Sequence, residues 1–231
     1  MKPSPLREIV DRLAAEYGRP KSPPGDPWEL ILRENVAYLA DDARREEAFQ
    51  ALRTEVGTRP KEILAAPRAT LVRIGRFGIL PEQSADKLRE CARIAEEEFG
   101  GNLKSILKLP PAQAKKALKK FPGIGVPGAE RILLFTGVDP VLALDSNGLR
   151  VLVRVGYGTQ HAGYAATYRS VREKVGESLP REGRWRVAAH QLLRRHGQET
   201  CRRSDPLCGE CPLARGCAYS RTLGMTIPGL K

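Results

Sequence analysis

Phe121-Pro122-Gly123-Ile124-Gly125-Val126-Pro127 is the stretch on which the reading of this chain turns. Two glycines flank one aliphatic residue, so the backbone can turn sharply and present bare N–H groups. Apolar periodicity on both sides predicts one helix ending near Lys120 and another beginning near Pro127. Proline suits the first helical position, where its missing N–H costs nothing. The positive end of the second helix then reinforces any anion held by the turn. Ile124 should tuck inward, and Lys115, Lys116, Lys119 and Lys120 add charge just ahead of the turn. The motif reads as a phosphate-clamping helix–hairpin–helix, with an ordinary glycine-rich turn between two helices as the alternative.

Outward from this hairpin the chain reads as almost entirely helical. Apolar residues recur at three- and four-residue spacing in Leu6–Ile9–Val10–Leu13, Trp28–Ile31–Leu32 and Leu88–Ile94. The pattern returns in Leu149–Val153 and Trp185–Leu192–Leu193, while strand-like alternation is nearly absent. Proline and glycine punctuate the helices at Arg19–Gly25, Thr58–Pro60, Lys108–Pro111 and Gly137–Pro140. Ser84 is expected to cap a helix running to about Phe99. Ser220 to Lys231 reads as a loosely tied tail.

With 231 residues, the chain can bury one large core or two modest ones. Its net charge of +12 and pI near 9.8 point to a polyanionic partner, most often nucleic acid. No apolar run approaches a membrane span, and Met1–Val10 has no secretory h-region. A cytoplasmic, reducing setting with no membrane partner is therefore expected.

Two further motifs carry chemistry. Cys201, Cys208, Cys211 and Cys217 stand as C-x6-C-x2-C-x5-C. Four thiolates in so short a segment suit a 4Fe–4S cube or a tetrahedral zinc. Only Cys208 and Cys211 form the tight pair that structural zinc favours, so the ligand chemistry leans to iron–sulfur and leaves zinc open. Two disulfides fit poorly in a reducing compartment, and Cys91 would be left over; on its amphipathic helix it reads as a core thiol. The second motif is Ala143-Leu-Asp-Ser-Asn147, which leads into another helix. Taken alone, Asp145 reads as a helix cap.

The glycine hairpin, then Leu-Asp-Ser-Asn at a helix start, then His196-Gly197-Gln-Glu-Thr-Cys201 with this cysteine spacing, in that order, resembles the endonuclease III family. These are DNA glycosylases of the helix–hairpin–helix superfamily that carry a 4Fe–4S cluster. The resemblance runs over roughly residues 5 to 220 and includes the early Pro27-Trp-Glu-Leu-Ile31 helix. It implies an all-α fold of two helical domains with a DNA-binding cleft between them. Residues 25–137 would form a six-helix barrel ending in the hairpin. Residues 1–24 and 138–220 would form the iron–sulfur domain, and 221–231 a tail. It implies that the four cysteines hold the cluster and that Asp145 is the catalytic carboxylate. Gly123, Ile124, Gly125, Val126, Lys119, Lys120, Arg202 and Arg203 would meet DNA, with Arg215 beside them. The partner would be double-stranded DNA containing a lesion or mismatch, bound by a monomer that flips the base out of the duplex. His190 and His196 would pack, tune the cluster or cap carbonyls.

The chain also departs from the pattern. Family members that cut the strand carry a lysine two residues beyond the second hairpin glycine; here that residue is Pro127. The resemblance therefore implies a monofunctional glycosylase using water. A lyase acting through another lysine, and a damage-binding protein without catalysis, are the alternatives. Where the family keeps a glutamine-containing stretch, this chain reads Arg33-Glu-Asn-Val-Ala-Tyr-Leu-Ala-Asp-Asp42. Leu39 or Tyr38 would wedge into the base stack, Tyr38 could instead line the base pocket, and Glu34 is a candidate for protonating the leaving base. The excised lesion is not legible.

Overall fold

The computed structural model describes residues 3–139, 141–176 and 178–223. The chain forms two compact units, one from Pro23 to Asp139 and the other from the chain on either side of it. Among the described residues every regular element is helical, and β pairing is confined to an isolated bridge between Tyr38 and Ile79. No helix among them is long and apolar enough to cross a membrane.

The central unit runs α2 (Pro27–Asn35), α3 (Asp42–Glu55), α4 (Pro60–Ala65), α5 (Arg68–Gly75), α6 (Pro81–Phe99), α7 (Pro111–Leu118) and α8 (Val126–Phe135). Helix α2 starts where Asp26 accepts from the N–H groups of Trp28 (2.8 Å) and Glu29 (3.1 Å), with Pro27 in the first turn. The long helix α6 divides its buried face between two apolar clusters. Leu88, Ala85 and Ala92 meet Leu32, Leu52, Leu71 and Ile74, while Cys91, Ile94 and Ala95 meet Ile31, Leu118, Phe121 and Ile124. Burying these side chains, at about 1.5–3 kcal/mol each, is the main drive for the unit to close.

The second unit holds α1 (Leu6–Tyr17), α9 (Ser146–Val155), α10 (Tyr164–Gly176), α11 (Gly183–Glu199) and α12 (Ala218–Thr222). Its core joins Leu6, Ile9, Val10 and Leu13 of α1 to Leu149, Leu152 and Val155 of α9 and Leu192 and Leu193 of α11. Cys217 belongs to that core, and Cys201 and Cys211 pack on it.

Three expectations are corrected. Ser84 does not cap α6: the helix begins at Pro81, Leu80 takes the capping place, and Ser84 is buried one turn inside. Proline's preset φ starts the helix earlier than a serine cap would. Helix α8 begins at Val126, so Pro127 is its second residue, where an N–H is equally dispensable. The tail begins later than Ser220, which is buried within α12; residues 224–231 lie outside the described residues.

The Ser84 hydroxyl has no hydrogen-bond partner and sits out of water. Ser84→Ala should remove that orphan and improve helix propensity, stabilising the protein by about 1 kcal/mol. A rise in the midpoint of urea unfolding checks this; a fall would show the hydroxyl to be satisfied.

Candidate active site and nucleic-acid interface

The hairpin is built from behind by one buried asparagine. Asn35, at the end of α2, donates from Nδ2 to the carbonyls of Pro122 (3.0 Å) and Ile31 (3.1 Å). Gly123 has φ +76°, and a Cβ there would lie 2.6 Å from Asn35 Oδ1. The turn thus needs glycine for both conformation and space. Phe121 and Ile124 are buried on the same core, Phe121 stacking on Phe99 with centroids 5.9 Å apart. Gly123, Gly125 and Val126 are exposed in front. The first intrahelical bond of α8 is Ala129 N–H to Gly125 O (2.9 Å), so the N–H groups of Val126 and Gly128 precede it. An exposed helix start of this kind favours an anion. The four lysines are not equivalent: Lys115 pairs with Glu130 (3.3 Å) and Asp139 (3.0 Å), and Lys120 pairs with Glu98. Lys119 is exposed beside the turn.

Elsewhere in this unit, Tyr38, Leu39, Ile79 and Leu80 form an exposed apolar group. Two of them are strained: Leu39 has φ +53° and Leu80 +58°, and Leu39 is 69% exposed. The Ile79 N–H donates to Tyr38 O (2.9 Å), which ties the two loops together. Lys87 Nζ sits 4.9 Å over the Tyr38 ring. A left-handed leucine costs about 1–2 kcal/mol, so two of them facing solvent point to function. Leu39 was expected here. Ile79 and Leu80 were not, although Gly78-Ile-Leu-Pro81 is an apolar pair at a helix entry. Glu34 pairs with Arg131 of α8 and is neither an unpartnered acid nor a merely solvated residue.

In the other unit, Asp145 is the N-cap of α9. Its Oδ1 accepts from the N–H groups of Asn147 (3.1 Å) and Gly148 (2.8 Å). Its Oδ2 accepts from Asn147 Nδ2 (3.2 Å) and forms an ion pair with Arg194 Nε (3.2 Å). Arg150 continues this array, donating to Asn147 Oδ1 (2.8 Å) and to the carbonyls of Gly197 (2.6 Å) and Cys201 (2.9 Å). His190 Nδ1 lies 2.8 Å from Ala143 O, so it holds the approach to Asp145.

Cys201, Cys208, Cys211 and Cys217 line one cavity. Arg154 donates to Cys201 Sγ (3.3 Å) and to the carbonyl of Arg202. His196 places Nε2 3.5 Å from Cys211 Sγ and Nδ1 2.8 Å from Tyr17 Oη. Burial pushes the Cys211 thiol up to about 12 and raises Cys208 and Cys217 as well. No group of three or more His, Cys, Asp or Glu among the described residues is arranged around a single ion. Arg202 and Arg203 are exposed on the first cysteine loop, and Arg215 on the last. Arg203 also borders a cavity of about 300 Å³ shared with Arg150, Arg154, Gln160 and Tyr164.

Endonuclease III of Thermotoga maritima is 26% identical over 218 residues, covering 94% of this chain and 92% of that protein. The thymine-DNA glycosylase of Aeropyrum pernix is 27% identical over 198 residues, covering 84% and 83%. A solved endonuclease III, trapped as a covalent intermediate with DNA, superposes with TM-score 0.73 at 20% identity over 95% of this chain and 97% of that one. In sequence and in fold the chain resembles endonuclease III. No family model matches it. A thermostable thymine-DNA glycosylase superposes with TM-score 0.72 at 18% identity, covering 94% and 97%. Within the fold these endonuclease III-like chains share, Asp145 and the four cysteines occupy one unit, and the hairpin and exposed leucines the other.

Two measurements probe the packing behind the hairpin. Gly123→Ala forces a left-handed alanine onto Asn35 and should cost about 1–3 kcal/mol in urea unfolding; an unchanged midpoint would mean the turn relaxes. Burial pushes the Cys91 thiol from 9.0 up to about 12. As pH rises past 9.0 the unfolded chain therefore ionises first, and alkali favours unfolding. Iodoacetamide at mildly alkaline pH should spare Cys91 in the folded protein and modify it in urea, as read by peptide mass spectrometry.

Proposed function

We propose that this chain is a base-excision-repair DNA glycosylase that removes a damaged or mismatched base by hydrolysis and leaves the sugar–phosphate strand uncut. Its endonuclease III and thymine-DNA glycosylase relatives support the enzyme class. The observation that carries the mechanism is Asp145, held at the start of α9 by three hydrogen bonds and an ion pair with Arg194.

In this reading the bond from the base nitrogen to the sugar's C1′ breaks, and its electron pair leaves with the base, which takes a proton from solvent. The sugar becomes an oxocarbenium ion, stabilised by the carboxylate of Asp145. Water adds through oxygen to C1′ and loses a proton, giving an abasic site. Asp145 acts by its field, because its acceptor positions are already filled. Glu34, held by Arg131, serves the barrel as a paired anion rather than as the proton donor. Pro127 offers no amine for a Schiff base, and Lys115 and Lys120 are engaged by carboxylates.

The hairpin N–H groups, Lys119, Arg202 and Arg203 would take backbone phosphates of double-stranded DNA. Leu39 and Leu80 would enter the base stack, as apolar wedges do, with Tyr38 against the distorted step. The protein would work as a monomer in the cytoplasm, on the nucleoid. Cys201, Cys208, Cys211 and Cys217 fit a 4Fe–4S cluster: all four soft donors line one cavity, and Arg154 and His196 offer hydrogen bonds to two of the sulfurs. When bound, the cluster supplies a cross-link for the loop that carries Arg202, Arg203 and Arg215.

A panel of duplexes, each carrying one oxidised, deaminated, alkylated or mismatched base, tests the proposal. Strand cleavage should appear only after alkali, borohydride should trap no covalent adduct, and Asp145→Asn should lower single-turnover base release at least a hundredfold while retaining binding to an abasic-analogue duplex. Borohydride trapping would instead assign a lyase, and an unaffected Asp145→Asn would remove Asp145 from the chemistry. Iron and acid-labile sulfide in the purified protein check the cluster; zinc would overturn it.

A further inference from the structure

Helix α11 presents a stripe to the segment that carries Asp145. His190, Arg194 and Gly197 follow at spacings of four and three, which places them on one face of the helix. Each meets a successive part of residues 143–148. His190 Nδ1 lies 2.8 Å from Ala143 O. Arg194 Nε reaches Asp145 Oδ2 at 3.2 Å. Gly197 lets the backbones close up, since a Cβ there would sit 2.8 Å from Asn147 Cβ and O. Arg150 then locks the contact by donating to Gly197 O (2.6 Å).

Within that stripe, Arg194 is the residue that touches the carboxylate. Both partners are largely withdrawn from solvent, with side-chain exposures of 20% and 22%. A half-exposed pair would be screened and worth little, whereas this one is directional. The N–H groups of Asn147 and Gly148 fix Oδ1, but an Asp with only its cap bonds can still rotate about the Cβ–Cγ axis. Arg194 and Asn147 Nδ2 hold Oδ2 and remove that freedom.

We propose that Arg194 is a positioning residue for the glycosidic reaction: it orients the carboxylate of Asp145 and holds it in place. This rests on the reading of Asp145 as the stabilising carboxylate. Arg194 acts through Asp145 and touches no reacting atom itself.

The test uses the full chain and the duplex from the lesion panel that the unaltered protein processes fastest. Arg194→Gln should slow single-turnover base release at least tenfold. Its affinity for a duplex carrying the tetrahydrofuran abasic analogue should stay within twofold, and its melting temperature near that of the unaltered protein. Arg194→Lys, which keeps the charge, should recover part of the rate. The double variant Asp145→Asn with Arg194→Gln should be no slower than Asp145→Asn alone, because the arginine has nothing left to orient. Equal or faster release by Arg194→Gln, or a full additive loss in the double variant, would overturn the proposal. If Arg194→Gln misfolds, Arg194→Lys and its double with Asp145→Asn carry the same comparison. If Asp145→Asn retains the rate, the reading of Asp145 falls; if Asp145→Asn is inactive and Arg194→Gln is not, only the role of Arg194 falls.

Discussion

Arg150 places one guanidinium where three pieces of chain must be held together. Nη2 donates to Asn147 Oδ1 at the start of α9 and to Gly197 O at the end of α11, and Nε donates to the carbonyl of Cys201. Burial lowers its readiness to carry a proton, and the neighbouring Cys201 and Asp145 counter that. A half-buried cation survives only if its donors are used, and here they are used on backbone carbonyls that no helix satisfies. The cap residues of α9, the last turn of α11 and the first cysteine therefore move as one body. Arg154, one turn further along α9, repeats the device on the carbonyls of Arg202 and Arg203 and stacks its guanidinium 4.4 Å from the Tyr219 ring. Removing Arg150 would leave the part-buried acceptors on Asn147, Gly197 and Cys201 without this donor at once. These bonds add to the packing of Leu213 and Cys217 in the core in fixing the cysteine loop.

The two units spend their polar groups differently. In the central unit one neutral asparagine, Asn35, shapes the hairpin from inside the core, and the exposed side offers backbone N–H groups. Phosphate contacts of that kind fix register and carry no base information. The exposed leucines add contact area and no hydrogen bond. Their left-handed backbones are held by the Tyr38–Ile79 bridge, so the strain is offset by the packing of α2 and α6 beneath.

Sequence reading went far where one residue type has one physical use. Helices α1, α2, α6, α9 and α11 were legible because their buried residues repeat at three and four, and the hairpin because Gly123 has a conformation that other residues enter only with strain. Asp145 was legible as a cap, and it is one. Arg194 was not, because Arg194-Arg195 in a polar helix looks like a solvated face; its partner lies 49 positions away in sequence and is brought near only by the close approach at Gly197. Leu80 was hidden for a related reason: a leucine before proline reads as extended chain, whereas here its φ is +58°, next to the Tyr38–Ile79 bridge. Ser84 misled because serine is a favoured cap only when the helix has not already begun.

The same distinction separates a carboxylate that accepts protons from one that only exerts a field. A general base must keep a lone pair directed at its substrate; Asp145 directs its lone pairs at Asn147, Gly148 and Arg194. An oxocarbenium ion, however, needs little help from a base, since it is electrophilic enough for water to add before losing its proton. What it needs is negative charge that does not move away or become neutral as the base departs. In the proposed reaction the partners of Asp145 would hold its carboxylate in place, whereas an amine nucleophile two residues past Gly125 would need a proton acceptor nearby to keep it neutral. Pro127 at that position brings no amine, and in the proposed reaction the hydrogen-bonded Asp145 would serve hydrolysis by water.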